Sequence, residues 1–140
     1  MKVSTKVTMP DLTIKPPTST SYWYSVASQL GRDIRKRTET SKVDWSGRRF
    51  KGYSDQYKKL RAKAGRSSTP NLSFSSKMLA SMRAIGSKTK SVLRLSGEQG
   101  FKAWVNEKNG RIFFAISQKD ADKIAKNVSA KVAKDNKLKR

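Results

Sequence analysis

The chain has 140 residues, with 32 Lys and Arg against ten Asp and Glu and a formal net charge of +22. It contains no Cys and no His, which excludes disulfides, thiolate metal ligands and a histidine general base. With 35% hydrophobic residues, we expect one modest core and a surface partly covered by arms or partners. The charge favours polyanionic partners: DNA, RNA, anionic lipid or acidic protein.

Residues 1–19 are predicted to form an extended N-terminal arm. Val3, Thr5, Val7 and Met9 alternate like one face of a strand, and three prolines disfavour a helix. An edge strand, an arm lying on a neighbouring subunit and simple disorder all stay open. No segment resembles a signal peptide or approaches the ~20 apolar residues of a membrane span. We therefore expect a protein made and kept in the cytoplasm, with no membrane partner.

Helical spacing predicts three helices in the first two thirds of the chain. The first runs from about Ser21 to Thr40, and the second is capped by Ser54 and ended by Gly65. The third is indicated by four apolar residues on one helical face: Met78, Leu79, Met82 and Ile85.

Two strands are predicted further along, in residues 91–96 and in the apolar run "RIFFAIS", which spans 111–117. Residues 98–110 are ambiguous, because Phe101 and Trp104 have helical spacing whereas a glycine in the same segment weakens a helix. Asn109-Gly110 is a strong turn signal.

A C-terminal helix is predicted after Ser117 and Asp120, which form the signature of a capping box. The fold class is therefore α+β, with the long N-terminal and C-terminal helices packed on a small, mostly antiparallel sheet. We expect one domain over residues 20–133, preceded by the arm and followed by a charged tail, 134–140, that frays.

No residue pattern in the sequence indicates a catalytic site. The acids are scattered, and Asp120 and Asp122 lie in the first turn of a predicted helix, where carboxylates favour the helix dipole. No phosphate-binding loop, dinucleotide fingerprint or metal-ligand spacing occurs. We therefore expect no enzymatic activity, no metal and no cofactor.

Basic residues are concentrated in two segments. Residues 32–66 hold thirteen Lys and Arg against four acids, and residues 77–94 hold five and no acid. Such residues can contact phosphates, and the aromatic residues among them either stack on bases or anchor the segment to the core. The candidate contacts for DNA or an acidic partner come from the first segment: Arg48, Arg49, Lys51, Lys58, Lys59 and Arg61.

Three consecutive aromatic residues, Tyr22, Trp23 and Tyr24, cannot all face one side of a helix. Trp23 is expected in the core, which leaves Tyr22 or Tyr24 exposed. Because exposed aromatic side chains are enriched at protein interfaces, Tyr22 and Tyr24 are candidates for a subunit contact.

The order of three segments resembles the virion morphogenesis, or tail-completion, family of tailed bacteriophages. The segments are residues 44–65, 71–82 and 101–124, and the resemblance covers about 22–130. The chain departs from the pattern at Ser76 and Lys77, where the family usually has Gly, and in the segment before the Phe-Phe pair. The positions that fit the family pattern are Gly47, Phe50, Tyr53, Ser54, Tyr57, Leu72, Met78, Leu79, Ser81, Arg111, Phe113, Phe114, Ser117 and Asp120.

The resemblance implies a structural virion protein without an active site. Six copies would form a ring at the neck that completes the tail or joins it to the DNA-filled head. Its partners would be head-completion or connector proteins, tail tube proteins and the genome end in the bore; it would reside in the virion, and in the host cytoplasm during assembly. The alternative from the residues alone is a small nucleic-acid-binding protein without sequence preference.

Overall fold

The computed structural model describes residues 15–72 and 76–136. Predictions on residues 1–14, including the alternation from Val3 to Met9, and on 137–140 lie outside the described residues. The chain is an α+β fold with two long helices and a small antiparallel sheet, as predicted.

Helix α1 spans Thr20–Lys36 and continues through a π-helical turn, Arg37–Ser41. Ser19 caps α1, because its side chain accepts a hydrogen bond from the amide of Tyr22. The apolar stripe of α1 buries Val26, Ala27 and Ile34. The predicted helix is thus confirmed, and its apolar face points inward.

The second predicted helix is α2, Asp55–Lys63, with Ser54 as its N-cap. The chain leaves α2 through Gly65, whose φ of +65° suits a residue without a side chain. Both predicted ends are confirmed.

The third predicted helix is wrong over most of its length. Only α3, Lys77–Ala80, is helical, and the chain then forms strand β1, Arg83–Gly86. Met78 and Leu79 are buried, but Ile85 lies on the exposed side of the strand. Gly86 allows β1 to lie directly against α1, because a Cβ there would overlap the α1 backbone at Thr20 and Tyr24.

Strand β2, Ser91–Arg94, was predicted and pairs antiparallel with β1. The ambiguous segment is helical and forms α4, Gly97–Lys108, which ends at the predicted Asn109-Gly110 turn. The terminal helix α5, Gln118–Asp135, begins with the predicted capping box of Ser117 and Asp120.

The predicted strand at 111–117 is wrong, because this segment is irregular. Its carbonyl groups bond elsewhere: those of Phe113 and Ala115 accept hydrogen bonds from the Arg37 side chain, at 3.0 and 2.7 Å. The carbonyl of Ile112 accepts from the amide of Trp45 at 3.2 Å. These partners satisfy the backbone without a strand ladder.

Arg37 also pairs with the buried Asp120 at 2.6 Å and so ties the end of α1 to the start of α5. Burial opposes ionisation of Asp120, but hydrogen bonds from Ser117 and the charge of Arg37 outweigh it and lower its pKa. The carboxylate therefore stays charged and caps α5.

The core lies between α1, the loop after it, α3, α4 and the 111–117 segment. Most of its members belong to the tail-completion pattern, and Tyr57 and Phe114 pack against them. The buried cluster consists of Ile34, Phe50, Tyr53, Leu72, Met78, Leu79, Ala103 and Phe113.

Candidate functional site

The basic segment begins with a loop organised by Asp44. This buried carboxylate accepts hydrogen bonds from the amide and hydroxyl of Ser46, at 2.8 and 2.7 Å, and from the Arg48 amide at 3.0 Å. Burial opposes ionisation, but these bonds together lower the pKa of Asp44. Gly47 completes the turn with a φ of +83°. The loop thereby holds Arg48 and Arg49 out in solvent.

Arg61 does not belong among the surface contacts proposed from the sequence. Its side chain is 1% exposed, with Nε donating to the carbonyl of Ser67 at 2.7 Å and Nη2 donating to Asn71 at 3.2 Å. The guanidinium also lies 5.0 Å from the ring centre of Tyr53. Arg61 thus anchors the loop after α2, and the prediction of a partner contact is wrong for this residue.

The remaining candidates from this segment stay at the surface. Lys51 and Lys59 are exposed, and Lys58 is partly covered, with its ammonium 3.5 Å from Asp55. Arg111 donates to the backbone carbonyls of Lys51 and Gly52. These lysines can meet a partner, since their charged groups are accessible.

The aromatic residues of this segment anchor it to the core and do not project toward a partner. Phe50 and Tyr53 are buried, and the Tyr53 hydroxyl accepts a hydrogen bond from the Leu72 amide at 3.1 Å. Burial raises the pKa of the Tyr53 phenol. Tyr57 packs edge-on against Tyr53, with ring centres 4.8 Å apart. Stacking of Phe50 and Tyr53 on bases is excluded by their burial.

The structure separates the two tyrosines proposed for a subunit contact. The Tyr22 hydroxyl donates to Asn127 on α5 at 2.7 Å, whereas Tyr24 is 52% exposed. Trp23 is partly buried and its indole N–H donates to the carbonyl of Pro17. Tyr24 alone of the pair is available to a partner.

Helix α4 carries an apolar face that the sequence did not single out as a site. Phe101 and Trp104 are 63% and 51% exposed, and their rings stack with centres 5.7 Å apart and an interplanar angle of 24°. Ala103, between them in sequence, faces the core. The helical spacing of Phe101, Trp104 and Val105 was the available signal, but spacing alone does not show which face is buried.

A cavity of about 620 Å³ adjoins this face, between α2 and α4. Leu60 of α2, itself exposed, faces it together with Phe101 and Val105 of α4, and the buried Met78 forms part of its lining. Exposed aromatic side chains such as Phe101 and Trp104 are enriched at protein contact sites. We call Leu60, Phe101, Trp104 and Val105 the apolar face.

Over the described ranges, no group of three or more His, Cys, Asp or Glu could hold a metal ion. Among the helices that the structure describes, none combines the length and apolar character that crossing a bilayer requires. Comparisons of the chain with protein-family models, with curated proteins and with solved structures find no match.

Proposed function

We propose that the chain is a structural virion protein of a tailed phage, a subunit of a neck ring that completes the tail, joins it to the DNA-filled head, or does both. The observation that carries this proposal is the apolar face, with Phe101 and Trp104 more than half exposed. A protein that works by surface complementarity needs such a face, because burial of aromatic side chains supplies most of the energy of a stable subunit contact.

The tail-completion resemblance supports the same function. Its apolar positions, among them Phe50, Leu72 and Phe113, pack together in one core, while Ser117 and Asp120 build the helix cap. The residues that carry the resemblance are therefore the framework of the fold. Neighbouring copies in the ring, connector proteins and tail tube proteins are the partners we propose, with no catalytic step.

The test is electron microscopy of particles made by the phage genome that encodes this chain, with the gene deleted. We expect DNA-filled heads separated from tails, and intact virions after complementation with the wild-type gene. Intact virions without the gene, or heads that fail to fill, would overturn the proposal.

Complementation with variants then examines the apolar face. Phe101→Gln with Trp104→Gln should leave heads and tails unjoined, whereas Trp45→Gln, which removes an exposed tryptophan away from this face, should restore virions. Circular dichroism of each purified variant shows whether it is folded. Equal rescue by both would mean that the apolar face is not the contact.

A sequence-nonspecific nucleic-acid-binding protein is the second candidate function, and the formal charge of +22 favours it. Such a protein should bind duplex DNA on its own with a steep dependence on salt. A neck subunit should instead bind preassembled heads or tails. Gene deletion separates the two candidates, because loss of a nucleic-acid binder would leave joined particles or unfilled heads.

A further inference from the structure

The β1–β2 hairpin and the adjoining side of α1 carry a cluster of basic side chains without an acid among them. In the hairpin, Arg83 lies directly opposite Arg94. Arg32 and Arg35 of α1 line a groove of about 420 Å³ together with Arg83, and no acidic side chain of the described residues lines it. The turn adds the exposed Lys88 and Lys90. We call these six residues the hairpin surface.

The register shows which way the hairpin points. Residues directly opposite each other project to the same face of a strand pair. Gly86 and Leu93 face α1, since a Cβ on Gly86 would overlap the α1 backbone and Leu93 lies against Gly31. Arg83 and Arg94 therefore share the opposite, solvent-facing side, and both are exposed.

The pairing of Arg83 with Arg94 lowers the stability of the folded chain when no anionic partner is bound. Like charges directly opposite each other on neighbouring strands repel. Elsewhere the chain places an acid beside a base, as in Lys123 with Asp33 or Lys102 with Glu98. Within the described ranges none of the salt bridges includes a residue of the hairpin surface.

The two arginines of α1 that line the groove bond to neutral groups. The Arg35 Nη2 donates to the carbonyl of Leu79 at 3.0 Å. Among the described residues Arg32 donates to neutral groups, the side chains of Ser28 and Gln29. Within the same part of the chain, neither Arg32 nor Arg35 is in a salt bridge with a carboxylate.

We propose that the hairpin surface binds the phosphate backbone of a nucleic acid. Guanidinium groups match phosphate in a two-bond fork, which favours phosphate over a diffuse acidic surface. At about 3.3 Å per strand residue, the arginine pair and the lysines of the turn lie roughly 15 Å apart. A duplex offers one charge per ~1.7 Å of its axis, so it can meet both groups at once.

The hairpin turn is built to display its lysines. The Ser87 hydroxyl accepts hydrogen bonds from the amides of Thr89 and Lys90, and the Ser87 amide donates to the carbonyl of Lys90 at 2.9 Å. The backbone is therefore held in place while the side chains of Lys88 and Lys90 extend into solvent.

The proposal does not depend on a place in the virion neck, and it moves the nucleic-acid contact away from the segment selected by sequence. Residues 77–94 were noted for five bases and no acid, but the predicted helix there concealed the pairing of Arg83 with Arg94. Only the hairpin brings these two side chains together, and Arg32 of α1 lines a groove with Arg83.

The experiment measures binding of the full chain to a fluorescein-labelled 30-base-pair duplex by anisotropy, at 50 to 300 mM NaCl. The variant Arg83→Gln/Arg94→Gln should bind at least tenfold more weakly at 100 mM, and the slope of log K against log salt should fall by about 2. Arg48→Gln/Arg49→Gln removes the same charge from an exposed loop and should change the affinity less than threefold. Lys88→Gln/Lys90→Gln should resemble the first variant.

Thermal melting shows whether each variant is folded. Removal of the opposed arginines should leave the melting temperature unchanged or raise it. Equal weakening by both arginine pairs would overturn the assignment of the surface, since affinity would then follow net charge. A wild-type chain that does not bind the duplex, or that binds polyglutamate of equal charge as tightly, would overturn nucleic acid as the partner. Neither result bears on the microscopy of the gene deletion, so the two proposals fail separately.

Discussion

Replacement of Arg61 by glutamine separates a structural arginine from a surface contact. The substitution removes the hydrogen bonds to Ser67 and Asn71 and the stacking on Tyr53. Hydrogen bonds from charged groups contribute about 1.5–3 kcal/mol each. We use the lower value of about 1.5 kcal/mol for each bond, because water can hydrogen-bond to the exposed loop once the arginine is gone.

Two such bonds and about 1 kcal/mol of cation–π stacking give a loss of about 4 kcal/mol. Removal of a charge from a buried site returns part of this, so we expect a net loss of about 3 kcal/mol in the free energy of unfolding. For a domain of this size that is a fall of about 10 °C in melting temperature. Arg61→Lys should lose about two thirds as much, because an ammonium cannot supply the planar fork.

The assay is thermal unfolding and urea unfolding, both followed by circular dichroism, together with duplex binding. Lys63→Gln is the control, since Lys63 lies on the same helix but is exposed. This variant should have the same unfolding midpoint as the wild type. The reasoning would be refuted if Arg61→Gln melted within 2 °C of the wild type. It would also be refuted if the variant kept its stability but bound DNA much more weakly than Lys63→Gln.

Three further substitutions test other parts of the structure. Gly86→Ala places a Cβ against the α1 backbone and should cost about 2–3 kcal/mol of stability in urea unfolding, whereas Gly52→Ala, with open space around it, should change stability by less than 1 kcal/mol. Asp120→Asn should cost about 2 kcal/mol at pH 7. Because the folded pKa of Asp120 is lowered, its contribution is complete above the unfolded value of about 4 and is lost as pH falls through the folded pKa. The difference between wild type and Asp120→Asn should therefore shrink as the pH falls below about 4, and a difference that stays constant on acidification would contradict this assignment. Arg94→Glu turns an opposed like pair into an opposite pair and should raise stability by about 0.5–1 kcal/mol in the same assay; a loss of stability would show that the two side chains do not interact.

The apolar face and the hairpin surface lie on different elements: the former on α2 and α4, and the latter on the hairpin and α1. The apolar face offers aromatic side chains and the hairpin surface offers positive charge. The two proposals therefore use different residues: a protein partner for the apolar face and a nucleic acid for the hairpin surface. The two surfaces are separable by mutation, which the variants at Trp104 and Arg94 exploit.

The elements that the sequence determined by itself are those whose stabilising contacts lie within a few residues. Ser117 and Asp120 form a capping box for α5 three residues apart, and the Ser54 side chain caps α2 by accepting from the amide of Tyr57, also three residues away. The apolar period of α1 and the Asn109-Gly110 turn are local too. Such signals are complete in the sequence, because the groups that satisfy the backbone are close neighbours along the chain.

Only the tertiary structure decided the role of groups whose partners are distant in sequence. The Arg37 side chain satisfies the carbonyl of Phe113, 76 residues away, so a segment with strong strand propensity needs no strand partner. Residues 83–86 have helical spacing, but they pair with β2 and lie against α1 through Gly86. Arg61 is buried although its neighbours are charged, because the loop after α2 folds back over it. Local composition sets what a residue can do, whereas burial and partner distance, which the fold alone supplies, decide what it does.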